Sequence, residues 1–427
     1  MLMLKKSTVS FSLLCLVGFL VDFAIMAGIV ALPFLILEHI PSGNTALSGN
    51  VFAVQMATYT IACLIMSRIV GESKNILFWA RWGVIIFTFA YPLFPFIPNK
   101  FTLYLCSIFS FIGMALSWPA FYAWVGTEPN EYKRQRNLAI FNMLWSLGFT
   151  MSPLISGPLY DFDYRAPFIL VFCVSLFSFI LLMIIPDASK YHPIPQEAED
   201  TSRDKSVEME NNGIYLYPYW LGVFLANLMT IIPRSTYAEH LKQMVAQGEL
   251  RFLFESIPSA LLQTDPATKF SWPSAMMAFA TAGIFLLFAW TQFWRYRLSI
   301  LIVSQAVCAL FFLLLSETKS IILICIAFAI IGANHGLTFF ASTYYSVHNP
   351  KLRHRRASIN EGLIGLGGVV GSLIFGSLVE KYGVRLSYKI IIFLIVLVIF
   401  IEIFIFDYLQ KKAQYKYRDS ACKSENK

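Results

Sequence analysis

Long uncharged stretches recur along the whole chain, separated by short segments that carry most of the Lys, Arg, Asp and Glu residues. Each stretch approaches or exceeds the roughly 20 residues that a helix needs to cross a hydrocarbon core of about 30 Å. A helix satisfies its own backbone hydrogen bonds in lipid, so α-helices are the predicted form. The twelve predicted spans are 8–37, 49–70, 76–98, 101–125, 137–160, 166–186, 213–233, 272–294, 298–316, 319–346, 357–379 and 387–408.

Composition and charge fit an all-α membrane protein. Hydrophobic residues make up 57% of the chain and charged residues only 14%, against roughly 25% charged in soluble domains. Lys and Arg are enriched in the segments that would share a side with the N-terminus, which predicts a protein of the cytoplasmic (inner) membrane with both termini cytoplasmic. The net charge of +8 therefore reflects membrane topology, and no nucleic-acid partner is expected.

A pattern in the first half of the chain recurs 219 positions later. Gly113 and Gly332 are separated by this offset, and so are three further pairs. They are Gly148 and Gly367, Gly157 and Gly376, and Asp161 and Glu380. Basic segments also follow the fourth and tenth spans. This echo predicts two pseudo-symmetric six-helix bundles, with a site between them that the halves open and close around.

The most polar stretch lies between the sixth and seventh spans. It lacks apolar periodicity, which predicts a mobile cytoplasmic linker between the bundles. The predicted organisation is an N-terminal bundle, a linker, a C-terminal bundle and a basic tail. Their bounds are 1–186, 187–213, 214–408 and 409–427.

The segment 234–271 is the main asymmetry between the halves, and it predicts a long outer loop. Thr236 and Glu239 have the spacing of a helix capping box. The apolar residues behind them predict one or two amphipathic helices on the outer surface. Such helices would either lie on the lipid headgroups or cover the mouth of the site as a lid.

Small residues at intervals of about four mark the fifth and eleventh spans and predict close helix contacts. Tight packing alone would explain the spacing, but the repetition favours moving contacts of a rocking bundle. Pro153 removes a backbone donor and predicts a bend in the fifth span. The residues given this gating or structural role are Gly148, Pro153, Gly157, Gly367, Gly371 and Gly376.

The motifs resemble those of the major facilitator superfamily. The run 148–158 is similar to the fifth-helix motif GxxxGPxxGG, with Ser152 and Ser156 replacing two glycines. Asp22 followed by Ala-Leu-Pro at 31–33 resembles the first-helix pattern of the drug and proton antiporters. The resemblance extends over essentially the full length and implies that superfamily's fold and secondary transport.

Two other family motifs are altered. The loop 67–74 lacks the acidic residue at its usual place in GxLxDRxGRK, although Glu72 is nearby. Ser107 and Ser110 stand where the antiporters have the Arg and Gln of RxxQG. These departures count against the antiporter branch but not against the superfamily, and uptake and efflux both remain open.

Polar residues deep in the spans are the candidates for substrate binding or coupling, because each is costly in lipid unless it is paired or faces water. Asp22 and His335 lie near mid-span and suit proton coupling or substrate recognition, although a structural role is open for each. Asn334 precedes His335, and Asn142 is the counterpart of Glu361 at the 219 offset.

Two aromatic and several charged residues complete the predicted site. Trp118 and Tyr122 lie in the fourth span and could line an apolar cavity. Glu361 opens the eleventh span, and a gating ion pair with Arg355 or Arg356 is predicted. A further acid, Glu402, is interpreted as a lipid-facing residue near a helix end.

The favoured function is secondary active transport of a small solute by alternating access, with protons as a possible coupling ion. A non-transporting sensor or scaffold that retains the fold is the alternative. No Walker-type motif, cysteine pair or catalytic cluster is present in the sequence, so neither an enzyme nor a bound metal or cofactor is expected. The expected partners are the solute, protons and the lipid bilayer, and the expected oligomeric state is a monomer. The scarcity of intramembrane Lys and Arg argues against a multiply charged anion.

Overall fold

The computed structural model describes residues 2–72, 75–126, 128, 131–186, 203–252, 266–347 and 353–425. Within these ranges the chain is almost entirely helical, and its β pairing is limited to an isolated bridge between Arg251 and Ser320. The first ten helices are α1 (Leu2–His39), α2 (Thr45–Glu72), α3 (Ile76–Ala90), α4 (Lys100–Gly126), α5 (Glu131–Phe162), α6 (Ala166–Ile184), α7 (Arg203–Ala246), α8 (Pro266–Trp290), α9 (Leu298–Glu317) and α10 (Ile321–Val347).

The last two spans run on as one helical segment, Arg353–Glu425, interrupted at Gly383. Gly383 has φ 74° and ψ 170°, a conformation that lacks a steric penalty only for glycine. The break divides the segment into α11 (353–382) and α12 (384–425). Eleven helices of the described chain are long and apolar enough to cross a membrane, and the last of them, Ile359–Tyr415, is 57 residues long and contains the break. Because its two arms can cross separately, the described chain fits the twelve-helix membrane fold that the sequence predicts.

The chain between α7 and α8 differs from its prediction. α7 continues to Ala246, thirteen residues beyond the predicted end of the seventh span at 233. Thr236 lies inside this helix, where its hydroxyl donates to the Ile232 carbonyl, so the predicted capping box does not begin a helix. Leu241 and Met244 are buried, so no surface helix or lid starts here. The apolar face of α7 therefore continues the bundle core.

The described part of the following loop is held by hydrogen bonds and an ion pair to the chain at the start of α10. Gly248 ends α7 with a positive φ of 67°, as a C-terminal cap commonly does. The Arg251 amide then donates to the Lys319 carbonyl, and Lys319 pairs with Glu249 at 2.8 Å. Residues 253–265, like most of the predicted linker 187–213, lie outside the described residues. α7 begins at Arg203, within that predicted linker.

Two bundles, α1–α6 and α7–α12, meet along two helix pairs. α2 packs against α11, and α5 packs against α8. These pairs are related to each other by the pseudo-symmetry, since a shift of six helices converts one into the other. Helix α12 lies at the periphery, where Phe393, Phe400 and Phe404 are about 70% exposed along one face, as suits contact with lipid tails.

The glycine echo corresponds to repeated packing at two of its positions. A Cβ on Gly148 would lie 2.2 Å from the Phe19 carbonyl oxygen, and one on Gly367 would lie 2.2 Å from that of Phe224. These contacts join α5 to α1 and α11 to α7 within the two halves. Because both glycines pack three residues before a polar side chain, Asp22 of α1 is the structural counterpart of Asn227 of α7.

The second pair of glycines packs between the halves. Gly157 faces the Ala267 carbonyl of α8, and Gly376 meets the Cα of Gly49 on α2. The third pair does not repeat its packing: Gly113 faces Gly83 of α3, whereas Gly332 faces Met277 of α8. The glycines of the echo thus make equivalent contacts in two of the three pairs, and in the third pair the neighbouring helices are not equivalent.

Candidate functional site

Because the helices cross alternately, one face of the bundle carries both termini and the other carries the α1–α2, α5–α6, α7–α8 and α11–α12 connections. We call the second one the distal face. The sequence places it outside the cell, and that orientation remains a prediction. The candidate site consists of a closed distal face and a polar cleft between the halves.

Two carboxylates of the 219 echo close the distal face. Asp161, near the end of α5, accepts from the backbone N–H of Thr268 at 2.7 Å and from its hydroxyl. Glu380, near the end of α11, accepts from the backbone N–H of Thr45 at 3.1 Å. Each acid therefore caps the first turn of a helix from the opposite half, where free N–H groups and the helix dipole favour negative charge. We call these two contacts the paired caps.

Further contacts reinforce this closure. The Thr45 hydroxyl donates to Glu239, and the Ser48 hydroxyl donates to the Ser235 carbonyl at 3.1 Å. Lys242 of α7 pairs with Glu38 of α1 at 2.7 Å. These polar contacts all bridge the two halves at their distal ends, so the distal face is closed.

Below the distal face, partly exposed polar and aromatic side chains lie between the halves, and we call this region the central cleft. The Asn142 side-chain oxygen accepts from the Tyr122 hydroxyl and from the Trp145 indole N–H, both at 3.0 Å. The Trp118 ring lies 6.2 Å from Tyr122 and 5.9 Å from Trp145. Three predicted site residues are thus brought together, and Trp145, which the sequence reasoning missed, joins them. Trp145 also reaches the other half, 5.8 Å from the Phe285 ring.

His335 lies on the C-terminal wall of this cleft. Its Nε2 is 3.3 Å from the Asn227 side-chain oxygen. The Asn227 amide nitrogen is already used as a donor to the Val223 carbonyl at 2.9 Å, so its oxygen must accept. In the neutral ring His335 therefore carries its proton on Nε2 and leaves Nδ1 as an acceptor.

Asp22 lies on the opposite half at the position equivalent to Asn227. It is only 5% exposed and forms no hydrogen bond or ion pair with a described residue. Its carboxyl group is close enough to Tyr122 to interact with it electrostatically. A buried acid without a partner in a membrane protein is costly as a carboxylate, so the arrangement suits a group that takes up and releases a proton.

Asn334 is directed away from His335. It is 2% exposed, and its side-chain oxygen accepts from Ser304 of α9 at 2.8 Å, which separates it from the Asn227–His335 pair. Glu402 is fully buried and accepts from the Gln305 amide at 2.9 Å. The interpretation of Glu402 as a lipid-facing residue is therefore wrong: Gln305 supplies the partner that lets this acid lie inside the C-terminal bundle.

Glu361 is partly exposed and interacts electrostatically with Tyr59, Cys63 and Tyr122 of the opposite half. Within the described residues it forms no ion pair with Arg356, whose buried Nη1 also lacks a described hydrogen-bond partner. The side chain of Arg355 lies outside the described residues. A gating ion pair from Glu361 thus stays a prediction.

The altered family motif in α5 has a structural role. Ser152 and Ser156, which replace glycines, donate to the Phe23 and Ala27 carbonyls of α1 at 2.6 Å each. α5 stays helical through Pro153. In the other half, Gly371 packs against Leu228 and Ile231 of α7. The small residues therefore fasten α5 to α1 and α11 to α7.

Arg234 was assigned to an outer loop, but it lies inside α7 and is partly exposed to the cleft. Its guanidinium carbon is 4.8 Å from the ring centre of Phe149, across the interface between the halves. Pro233 suggested the end of a span, yet the apolar positions that continue to Leu241 and Met244 could have revealed the longer helix.

Comparison with known proteins agrees with this architecture. A family model described as Major Facilitator Superfamily matches residues 14–357. A search of curated proteins finds no match. The fold is similar to that of the nucleoside transporter NupG, with a TM-score of 0.71 and 11% identity over 93% of this chain and 99% of that one.

Two further structures share the fold. A POT family transporter in complex with 5-aminolevulinic acid has a TM-score of 0.71 and 12% identity, over 93% of this chain and 96% of that one. A bacterial homologue of the human lysosomal transporter Spinster, inward-facing and occupied, has a TM-score of 0.66 and 14% identity, over 95% and 97%. With the family match covering most of its length, this chain belongs to the Major Facilitator Superfamily.

Proposed function

We propose that the protein is a secondary active transporter that moves a small solute across the cytoplasmic membrane by alternating access. The observation that supports this most directly is the set of partly exposed polar side chains between two bundles that are joined by hydrogen bonds and an ion pair at their distal ends. If the paired caps separated and the halves closed at the face that carries both termini, the cleft would open at the distal face instead. Both termini then lie in the cytoplasm, and the protein acts as a monomer.

Proton coupling is the second part of the proposal, and Asp22 supports it. An unpartnered acid at mid-depth is more stable in its neutral form while it is buried. It can ionise when water reaches it in another state of the protein. His335, in the other half, has a ring nitrogen that can accept a proton and is the second proposed protonation site. The relatives that bind nucleosides or 5-aminolevulinic acid indicate that clefts of this fold take small polar solutes, but they do not define the solute here.

A proton-flux screen tests the transport and its coupling together. Purified protein in liposomes is exposed to a panel of nucleosides, amino acids, sugars and organic acids, with an internal pH-sensitive dye. We expect at least one compound to carry protons inward, and Asp22→Asn to abolish this flux. Asp163→Asn, on the exposed α5–α6 connection, is the matched control. The coupling proposal is wrong if Asp22→Asn and His335→Ala both leave gradient-driven transport intact.

A cross-link distinguishes a transporter from a sensor or scaffold that keeps the same fold. Thr45 and Glu239 touch across the distal face, so cysteines at both positions should be joined by a short bifunctional thiol reagent. A transporter locked in this way stops working, while either single cysteine alone remains active. Full solute flux in the cross-linked protein would contradict alternating access.

A further inference from the structure

The geometry points to an anionic solute: we infer that Arg234 binds the acidic group of a small aromatic or branched organic acid. This inference rests on the proposed transport function and names the chemical class of its substrate. It concerns a residue that the sequence places outside the membrane and the structure places between the two halves.

Arg234 carries its charge deep in the bundle. Its guanidinium group lies over Phe149, which precedes the cap residue Asp161 by twelve residues on α5, or about 18 Å along the helix at 1.5 Å per residue. The neighbouring residues Ser235, Thr236 and Tyr237 are buried, so the helix is enclosed at this depth. The guanidinium group cannot lose its proton, so it remains a cation there.

The charge has no anionic partner among the described residues. Arg234 forms no hydrogen bond or ion pair with them, and its Nε is buried without an acceptor. Its one defined contact is with the face of the Phe149 ring, which attracts a cation but accepts no N–H bond in the ring plane. A guanidinium group kept in this state has its donors available for a carboxylate or another planar oxyanion.

A second donor lies close to the first. Arg234 and His335 are near enough to act on each other electrostatically, and Arg234 is two helical turns from Asn227, which holds His335. Protonation of His335 at Nδ1 would add an N–H donor. Both positive charges would then favour an anionic group in this part of the cleft.

The space beside these donors is aromatic. Trp145 is one helical turn from Phe149, and its ring lies 5.8 Å from that of Phe285. Phe285 is 5.7 Å from Phe339, and Phe339 is 5.9 Å from His335. This wall suits a flat or branched apolar body attached to the acidic group. It provides little for a sugar, whose hydroxyl groups need many polar partners.

Binding to the purified full-length protein tests the inference without knowledge of the natural solute. The probes are benzoate, phenylacetate and phenylphosphonate, with benzamide and phenylacetamide as neutral counterparts. We expect one or more acids to raise the melting temperature and to bind by calorimetry, while the amides do not. A response limited to carboxylates identifies carboxylic acids, and an added response to phenylphosphonate identifies the wider class of oxyanions.

Substitution then assigns the effect. Arg234→Gln should weaken acid binding at least about tenfold, and Arg234→Lys should weaken it less because charge without the planar fork remains. Arg165→Gln is the matched control, because Arg165 also lies over a ring, at 5.0 Å from that of Tyr164, but on the exposed surface. If Arg234→Gln does not fold, the comparison of acids with amides on the native protein still tests whether an anionic group is required for binding.

The inference is overturned if no acid binds the native protein, if the amides bind as tightly, or if Arg234→Gln binds acids normally. Its failure is separable from failure of the transport proposal. Proton-coupled flux of a neutral or cationic solute that survives in Arg234→Gln would leave the transporter in place and remove the anion site. Conversely, acid binding without flux of any compound would support the site and count against transport.

Discussion

The distal face and the central cleft are built on the same duplicated helices. Equivalent positions carry similar groups at the distal face and different groups in the cleft. At the distal face the halves contribute equivalent groups, since Asp161 and Glu380 cap helices of the opposite half in the same manner. In the cleft, equivalent positions hold different chemistry: Asp22 corresponds to Asn227, and Asn142 corresponds to Glu361. Symmetric residues close the protein, whereas the residues that could recognise a solute or a proton are asymmetric. The proposed rocking would thus depend on groups that both halves share, and specificity on groups that differ between the halves.

The largest effect is expected where backbones touch. A side chain at Gly376 would collide with the Cα of Gly49 and with the Thr45 carbonyl. Gly376→Val should hold the distal face apart and destabilise the protein by about 1–3 kcal/mol, the usual cost of overpacking. Thermal unfolding and the labelling of a cysteine at Ser48 measure the two effects. Gly126→Val, with open space around it, is the control, and equal behaviour of the two variants would contradict the packing argument.

The paired caps come next. Asp161→Asn and Glu380→Gln each replace a charged acceptor by a neutral one. A hydrogen bond to a charged group contributes about 1.5–3 kcal/mol and one between neutral groups about 0.5–1.5 kcal/mol, so each substitution should weaken the closure by about 1 kcal/mol. Each variant should favour opening of the distal face, and the double variant should favour it more. Cysteine labelling at Ser48 reports this equilibrium, with Asp163→Asn as the control. If only one of the two substitutions increases labelling, the two caps contribute unequally to closure although their geometry is equivalent.

A smaller effect on stability is expected from the same kind of loss in the cleft. Asn142→Leu removes the acceptor of both Tyr122 and Trp145, but these donors are partly exposed and can bind water. The free energy of unfolding should therefore fall by less than about 1 kcal/mol, while solute flux falls several-fold because two aromatic walls lose their orientation. Unfolding and flux are measured on the same preparation. A large loss of stability would show that the contacts in the cleft stabilise the fold as much as those at the distal face.

The smallest effect is expected at the ion pair between Lys242 and Glu38. Their side chains are 39% and 26% exposed, and exposed pairs contribute about 0–1 kcal/mol. Lys242→Gln should shift distal labelling slightly, and added salt should reduce the difference. Lys319→Gln is matched to it, because that residue pairs with Glu249 without bridging the halves. A shift as large as that of the caps would mean that this pair, rather than the caps, holds the face closed.

The fold could be predicted from the sequence because its cause is repeated along the whole chain. Lipid demands closed backbone hydrogen bonding, so the apolar stretches had to be helices, and the echo indicated two bundles. The end of α7 was missed because Pro233 and Arg234 look like a boundary, although neighbouring helices enclose both. Helix ends depend on such tertiary contacts, which local sequence does not contain.

Some of the residues that the sequence predicts for the candidate site are neighbours in the structure, but their contacts could not be predicted, and their role in a site stays a prediction. Trp118, Tyr122 and Asn142 are indeed adjacent, since two of them lie one turn apart on α4 and the third faces them from α5. Asn334 was grouped with His335 because they are neighbours in sequence. Adjacent residues of a helix point about 100° apart, so one reaches α9 and the other α7. Depth in a span can be read from sequence, but the direction of a side chain requires the packed bundle.

The equivalence of Asp22 and Asn227 has an evolutionary consequence. Asp and Asn have nearly the same shape, and their codons differ by a single base. After a duplication, one point mutation would suffice to place an acid in one half and an amide in the other without disturbing how the helices fit. The reverse exchange, Asp22→Asn with Asn227→Asp, would transfer the acid to the other half beside His335. Lineages of such transporters could therefore exchange coupling between halves by small steps, while the gate that both halves share stays unchanged.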